Sequence, residues 1–276
     1  MESIGAARPL RLAIAGLGAI GLEIARRADA GEVEGMALSA VAARDHAKAE
    51  RRMSGFARPP AIMPLADLAQ AADVIVECAP ASVFLDIARP ALEQGRLFMP
   101  LSVGVLLDNM ELVDLARRGG GRILVPSGAI LGLDALKAVA KGSVESIKMV
   151  TRKPPGGLAG APYLAANAIS LTDLTEARLL FSGTAREAAK GFPANLNVCA
   201  AIALAGIGPE RTMVEVWADP AVRHNTHTIE VKSDSSDFTM TIRNTPTLEN
   251  PRTGKITALS VIAALERLTA PLAVGT

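Results

Sequence analysis

Leu12-Ala13-Ile14-Ala15-Gly16-Leu17-Gly18-Ala19-Ile20-Gly21 decides how this chain begins to fold. A short apolar run ends in G-x-G-x-x-G and passes without a break into a helix-compatible segment, Leu22 to Ala28. Strand, then glycines, then helix is the order a dinucleotide fingerprint requires. Gly16 is expected to make the tight turn. Gly18 lets backbone approach a pyrophosphate, and Gly21 lets helix and strand pack closely. Ala19 and Ile20 lie between them, at the helix start. There, free N–H groups and the positive end of the dipole favour phosphate.

Outward from this stretch the pattern repeats. Met36–Ala42, Val74–Cys78, Leu97–Ser102 and Ile123–Val125 read as strands. Residues 45–54, 65–71, 83–94 and 110–118 read as helices between them. Such alternation implies a doubly wound parallel sheet, a Rossmann domain over residues 1–128. Its ligands should meet the carboxyl ends of the strands, which include Ala79-Pro80 and Ser102-Val103-Gly104.

The second half has a different texture. Val144–Thr151, Met213–Ala218, Thr226–Lys232 and Asp237–Ile242 are strand-like, several with polar alternation. They suggest a largely antiparallel sheet with one solvated face. Helices are expected at 185–190, 197–205 and 256–268. Residues 129–276 therefore read as an α+β substrate and dimerisation domain, whose last helix packs back on the first domain.

Bulk composition agrees. Of 276 residues half are hydrophobic and only 3% aromatic, so the core is aliphatic, as parallel sheets under helices require. A formal charge of +1, without a basic run, argues against nucleic acid as partner. No apolar run reaches the roughly 18 residues of a membrane span. Met1-Glu2-Ser3-Ile4-Gly5 lacks the basic and apolar regions of a signal peptide. Cys78 and Cys199 read as small buried residues in a reducing compartment. The expectation is a soluble cytoplasmic protein. An exposed apolar sheet face would make it a homodimer.

The cofactor choice turns on the region about twenty residues past the fingerprint, where an acid usually meets the ribose hydroxyls of NAD. Arg44 and Asp45 stand there. Arg44 suits a 2′-phosphate and Asp45 a ribose hydroxyl, so NADP is expected, with NAD also accepted. The chain has three histidines, His46, His224 and His227. His46 reads as a surface residue. His224 and His227 begin a strand in the second domain, where an imidazole could pass a proton to an amine or water. Their H-x-x-H spacing lacks the further ligands a metal site needs, so no metal is expected.

Five segments together carry a family resemblance: GLGAIG at 16–21, PSGAILGLDAL at 126–136, FPANLNVCAAIALAG at 192–206, NTHTIEV at 225–231 and NPRTGKITALSVIAAL at 250–265. In this order and spacing the chain resembles the L-aspartate dehydrogenases, which have a Rossmann domain followed by a domain like that of dihydrodipicolinate reductases. The resemblance implies that His227 is the acid/base, with His224 as the alternative, and that Asn225 orients the imidazole or binds substrate. It implies cofactor contacts at Ala129 and at Asn195 or Asn197, beside the one expected of Ala79 from its place at a strand's carboxyl end. Helix capping is the other reading of the two asparagines. The implied reaction takes L-aspartate, NAD(P)⁺ and water to oxaloacetate, ammonia and NAD(P)H through iminoaspartate, which could also feed pyridine nucleotide synthesis. The two carboxylates need donors, and Thr253, Lys255, Lys153 and the amides near 250–254 are candidates. Thr253-Gly254-Lys255 lacks the second hydroxyl residue expected after the threonine. Two alternatives stay open: another Rossmann oxidoreductase, such as a dihydrodipicolinate reductase-like enzyme, or a non-catalytic NAD(P)-binding protein.

Overall fold

The structure, a computed structural model, describes residues 8–193, 197–247 and 254–275. In chain order its elements begin with β1 (Leu10–Ala15), α1 (Ala19–Asp29), β2 (Met36–Ala42), α2 (His46–Arg52), β3 (Ala61–Ile62) and α3 (Leu68–Ala71). Next come β4 (Val74–Glu77), α4 (Phe84–Glu93), β5 (Leu97–Pro100), α5 (Val103–Leu107), α6 (Glu111–Gly119) and β6 (Arg122–Ile123). The second half holds α7 (Leu133–Val139), β7 (Val144–Lys153), α8 (Pro155–Leu158), α9 (Pro162–Ala166), β8 (Arg178–Thr184) and α10 (Ala185–Gly191). It ends with α11 (Asn197–Ala205), β9 (Thr212–Ala218), β10 (Asn225–Ser233), β11 (Phe238–Asn244) and α12 (Ile256–Glu266).

The described residues fall into two units, one within 1–102, 110–126 and 258–274, the other within 103–109, 127–257 and 275–276. In the first, six parallel strands run in the order β3-β2-β1-β4-β5-β6. The order reverses between β1 and β4, and that is where such sheets open a crevice at their carboxyl ends. Leu12, Ala13, Ile14 and Ala15 are wholly buried, as a central strand covered on both faces must be. Ala258, Val261, Ile262 and Leu265 of α12 join the same core cluster as Leu12, Ile14, Ile24, Val41 and Val76.

The second unit is a five-stranded sheet in the order β11-β10-β7-β9-β8. Every pair is antiparallel except β7 with β9, which runs parallel. Burial alternates along β7, β9 and β10. On one face Ile147, Met149, Val214, Val216, Ile229 and Val231 are buried, with α10 and α11 packed against it. Pattern reading misses β8. A register shift between Leu179 and Phe181 breaks its alternation, and it pairs with β9 alone. A capping box, with the Thr184 N–H donating to Glu187 Oε2 at 2.8 Å, then turns the chain into α10. The run after Leu97 also ends sooner than expected, because Val103–Leu107 turns into a short helix.

Candidate active site

The three glycines of the fingerprint have separate physical duties. Gly16 has φ +101°, and a Cβ there would lie 2.7 Å from the Cys78 carbonyl oxygen. Only glycine fits such a turn. A Cβ on Gly21 would lie 1.9 Å from the Gly16 carbonyl oxygen, so this glycine seats helix against strand. A Cβ on Gly18 would meet nothing within 4 Å. Open space beside an exposed glycine at the N-cap of α1 is what an approaching pyrophosphate needs. No side chain caps α1, so the N–H groups of Ala19, Ile20 and Gly21 are available to a ligand. Beyond β2, Arg44 is exposed, and Asp45 is the N-cap of α2, its Oδ1 accepting from the Lys48 N–H at 2.9 Å.

A residue that motif reading overlooks holds the next part of this rim. Glu77 ends β4 and is fully buried. Its Oε1 accepts from the Ala79 N–H at 3.0 Å and the Ser102 hydroxyl at 3.1 Å. Its Oε2 accepts from the Leu101 and Ser102 N–H groups at 3.2 and 2.9 Å. Burial pushes its pKa up, while these four donors oppose that shift. One carboxylate thus ties the turns after β4 and β5 together and sets the backbone of Ala79.

In the second unit, the helix-covered face of the sheet is aliphatic until one corner, where it turns polar. Thr151 and Lys153 close β7, Asn225 and His227 open β10, and Asn244 ends β11. Register sets Thr151 opposite His227 and Asn225 opposite Asn244. Thr151 Oγ1 and His227 Nδ1 are 2.8 Å apart. His227 is 2% exposed, and burial, then the nearby Lys153 charge, lowers its pKa to about 3. The imidazole is therefore neutral at physiological pH. Lys153 is 3% exposed, and burial lowers its pKa to about 8. Asn244 donates from Nδ2 to the Ala129 carbonyl oxygen at 2.9 Å, while its buried Oδ1 has no hydrogen-bond partner among the described residues. That carbonyl can only accept, which sets the amide's orientation.

The other anticipated residues divide. Asn225 and His227 meet at the polar corner, and Ala129 reaches it through Asn244. His224 is exposed, outside the cluster. Lys255 is exposed too, with its N–H donating to the Thr245 carbonyl at 2.8 Å. Asn197 Oδ1 accepts from the Gly104 N–H at 3.0 Å, in the first turn of α5. Asn195 and Thr253 lie outside the described residues. Thr151 and Asn244 were not singled out from sequence. Their one signal is a polar residue two positions after an apolar one in a strand, Met149 before Thr151 and Ile242 before Asn244.

Comparison with known proteins puts this geometry in a lineage. A family model described as aspartate dehydrogenase, C-terminal, matches residues 134–268. One described as homoserine dehydrogenase, NAD binding domain, matches residues 16–126. An L-aspartate dehydrogenase of Bradyrhizobium diazoefficiens is 56% identical over 98% of this chain and 96% of its own length. The chain belongs to the aspartate dehydrogenase family. Another member, L-aspartate dehydrogenase 3 of Bordetella bronchiseptica, is 53% identical over 97% of this chain and 98% of its own. The crystal structure of aspartate dehydrogenase from Thermotoga maritima shares the fold at TM-score 0.72, with 23% identity, covering 96% of this chain and 99% of that one.

Membership makes the chain a dehydrogenase whose cofactor is NAD or NADP, and its own residues fit that group. The open cradle at Gly18 and the uncapped start of α1 suit a pyrophosphate. No described helix is long and apolar enough to cross a membrane.

Proposed function

We propose that this protein is an NAD(P)-dependent L-aspartate dehydrogenase, converting L-aspartate and water to oxaloacetate and ammonia through iminoaspartate. The observation that carries the reading is the polar corner: a buried, neutral His227 held by Thr151 on an otherwise aliphatic sheet face. The bound nicotinamide supplies the chemistry of accepting hydride from the substrate Cα. Gly16, Gly18, Ala19, Ile20 and Gly21 hold its diphosphate, and Ala79 lines the adjoining turn. Arg44 meets the 2′-phosphate when NADP is bound, and Asp45 a ribose hydroxyl. Ala129 with Asn195 or Asn197 completes the cofactor contacts.

The protein's own part is proton handling. With Nδ1 committed to Thr151 Oγ1, Nε2 is the nitrogen that exchanges protons. A neutral imidazole can take the proton that the substrate amine must lose to become an imine. Once that proton has passed to bulk water, the neutral ring can take one from the water that adds to the imine carbon and return it to the departing ammonia. Asn225, on the same face of β10, orients the substrate beside the ring. Thr253, Lys255 and His224 are the proposed outer contacts to substrate. Iminoaspartate that leaves before water adds would supply pyridine nucleotide synthesis.

The decisive assay follows NADPH absorbance with oxaloacetate and ammonia against a panel of other keto acids. Oxidation with oxaloacetate that vanishes in His227→Ala supports the reading. Oxidation that prefers another keto acid, or is equal in the variant, rejects it.

The proposal extends to a homodimer working in the cytoplasm. Its support is the other face of the second unit's sheet. There Leu179 and Met213 are each 42% exposed, Arg152 stacks over Trp217 at 4.6 Å, and Lys148 pairs with Glu215 at 2.7 Å. A face of this mixture suits a second copy of the chain. Cys78 and Cys199 are both thiols, as a reducing compartment would keep them.

A further inference from the structure

We propose that the side-chain carbonyl of Asn244 accepts a hydrogen bond from the nitrogen that L-aspartate loses as ammonia, and so holds the reacting amine beside His227. The inference rests on the reading of this protein as an L-aspartate dehydrogenase.

Four observations support it. First, Asn244 is 4% exposed, and its Oδ1 meets no hydrogen-bond donor among the described residues. A buried acceptor left unmet is costly to a fold, and a donor from a ligand removes that cost. Second, Nδ2 donates to the Ala129 carbonyl oxygen at 2.9 Å, which fixes Oδ1 as the atom on offer. Third, Gly254 packs against this side chain. A Cβ there would lie 3.3 Å from Asn244 Cβ and 3.5 Å from Oδ1, so glycine leaves that side of the oxygen clear. Fourth, Asn244 ends β11 opposite Asn225, and His227 is two along from Asn225 on the same face of β10. Such diagonal neighbours lie about 7–8 Å apart, a gap that one ligand amine can bridge. His227, at 2% exposure, is as deeply buried as Asn244, so a substrate that reaches the ring enters the same enclosure.

The substrate's own chemistry decides which part of it this oxygen meets. An amide oxygen only accepts. The two carboxylates of L-aspartate also only accept, and its N–H donors are all on the amine. With the amine held at Asn244, His227 Nε2 is left to take its proton.

The reductive direction tests this, because ammonium is then a substrate separate from oxaloacetate. Asn244→Leu removes both the acceptor and the donor of the side chain. Asn244→Asp keeps an acceptor and loses only the donor to Ala129. Asn244→Leu should raise KM for ammonium by roughly tenfold to a hundredfold, the usual worth of a hydrogen bond to a charged group. Asn244→Asp should leave that KM no higher than in the unaltered enzyme. Succinate, which has no N–H, should inhibit the unaltered enzyme and Asn244→Leu alike. If Asn244→Leu does not fold, Asn244→Ala takes its place with the same expected result. An unchanged ammonium KM in the folded apolar variant overturns the proposal. An equal rise in Asn244→Asp overturns it too, because the bond to Ala129 would then account for the effect. So does a parallel loss of succinate inhibition, which would mark a structural role. If the unaltered protein does not oxidise NADPH with oxaloacetate and ammonium, the reading of the protein as an L-aspartate dehydrogenase fails. If it does so and the variants behave alike, the Asn244 assignment alone fails.

Discussion

Burial keeps His227 a neutral ring before it meets substrate. Its pKa of about 3 means that nearly every His227 is unprotonated at pH 7. His227→Ala should lower kcat by roughly two to four orders of magnitude, the usual worth of a general acid/base. NADP affinity by titration calorimetry should hardly change. If His227→Ala turns over normally while His224→Ala does not, the exposed histidine is the true proton carrier. The same depression makes a stability prediction. The folded ring resists protonation, whereas the unfolded ring takes a proton near pH 6.5. Its effect on stability is therefore nil above pH 6.5 and increasingly unfavourable from 6.5 down to 3. At pH 5 the loss relative to pH 7.5 should be about 2 kcal/mol. Urea unfolding at both pH values should show that loss reduced by the same amount in His227→Asn. An equal pH dependence in the two proteins would mean the folded ring titrates normally. At the rim of the cofactor cradle, Arg44→Ala should weaken NADP more than NAD, because only NADP carries the phosphate. Equal losses would remove Arg44 from the site.

Elements, rather than residues, carry the nucleotide cradle, and its glycines should fail in different ways. Gly18→Val adds a branched side chain where nothing lies within 4 Å, so the fold should tolerate it while NADP affinity collapses. Gly21→Ala instead drives a methyl into the Gly16 carbonyl, and should cost about 1–3 kcal/mol of stability as overpacking does. Melting temperature and calorimetric NADP binding, measured on both variants, distinguish the two. Intact NADP binding in Gly18→Val would reject the pyrophosphate assignment. Glu77 is the corresponding test for the turns after β4 and β5. Glu77→Gln replaces one accepting oxygen by a donor that faces N–H or O–H groups, leaving buried donors unmet. A loss of about 1–3 kcal/mol in urea unfolding is expected. A loss within experimental error would show that the turns hold themselves.

At the scale of the whole molecule, the open sheet face predicts assembly. Met213→Glu places a second charge beside Lys148 on the face that also carries Leu179 and Trp217, and sedimentation velocity should show the dimer giving way to monomer. A monomeric parent protein would end the dimer proposal outright. How far the chain could be read beforehand differed between its halves. Leu12–Ala15 and Met36–Ala42 were legible because parallel strands buried on both faces are unbroken apolar runs, and the glycines between them obey purely local sterics. The strand Arg178–Thr184 was not, because a register shift erased its alternation. The parallel pairing of β7 with β9 was not legible either, since a strand's own residues do not say which neighbour it will meet.

The site divides in the same way. Composition, periodicity and the spacing of Gly16, Gly18 and Gly21 determined the Rossmann unit, and those signals are local, acting over a few bonds or one helical turn. His227 was singled out by the family resemblance that NTHTIEV carries. Thr151 beside His227, Asn244 beside Asn225, Asn197 on Gly104 and Glu77 across the ends of two strands are contacts between residues 19 to 93 positions apart. Only the tertiary structure decided them. Strand register and burial choose which polar groups share a face, and burial decides which of them keep their charge.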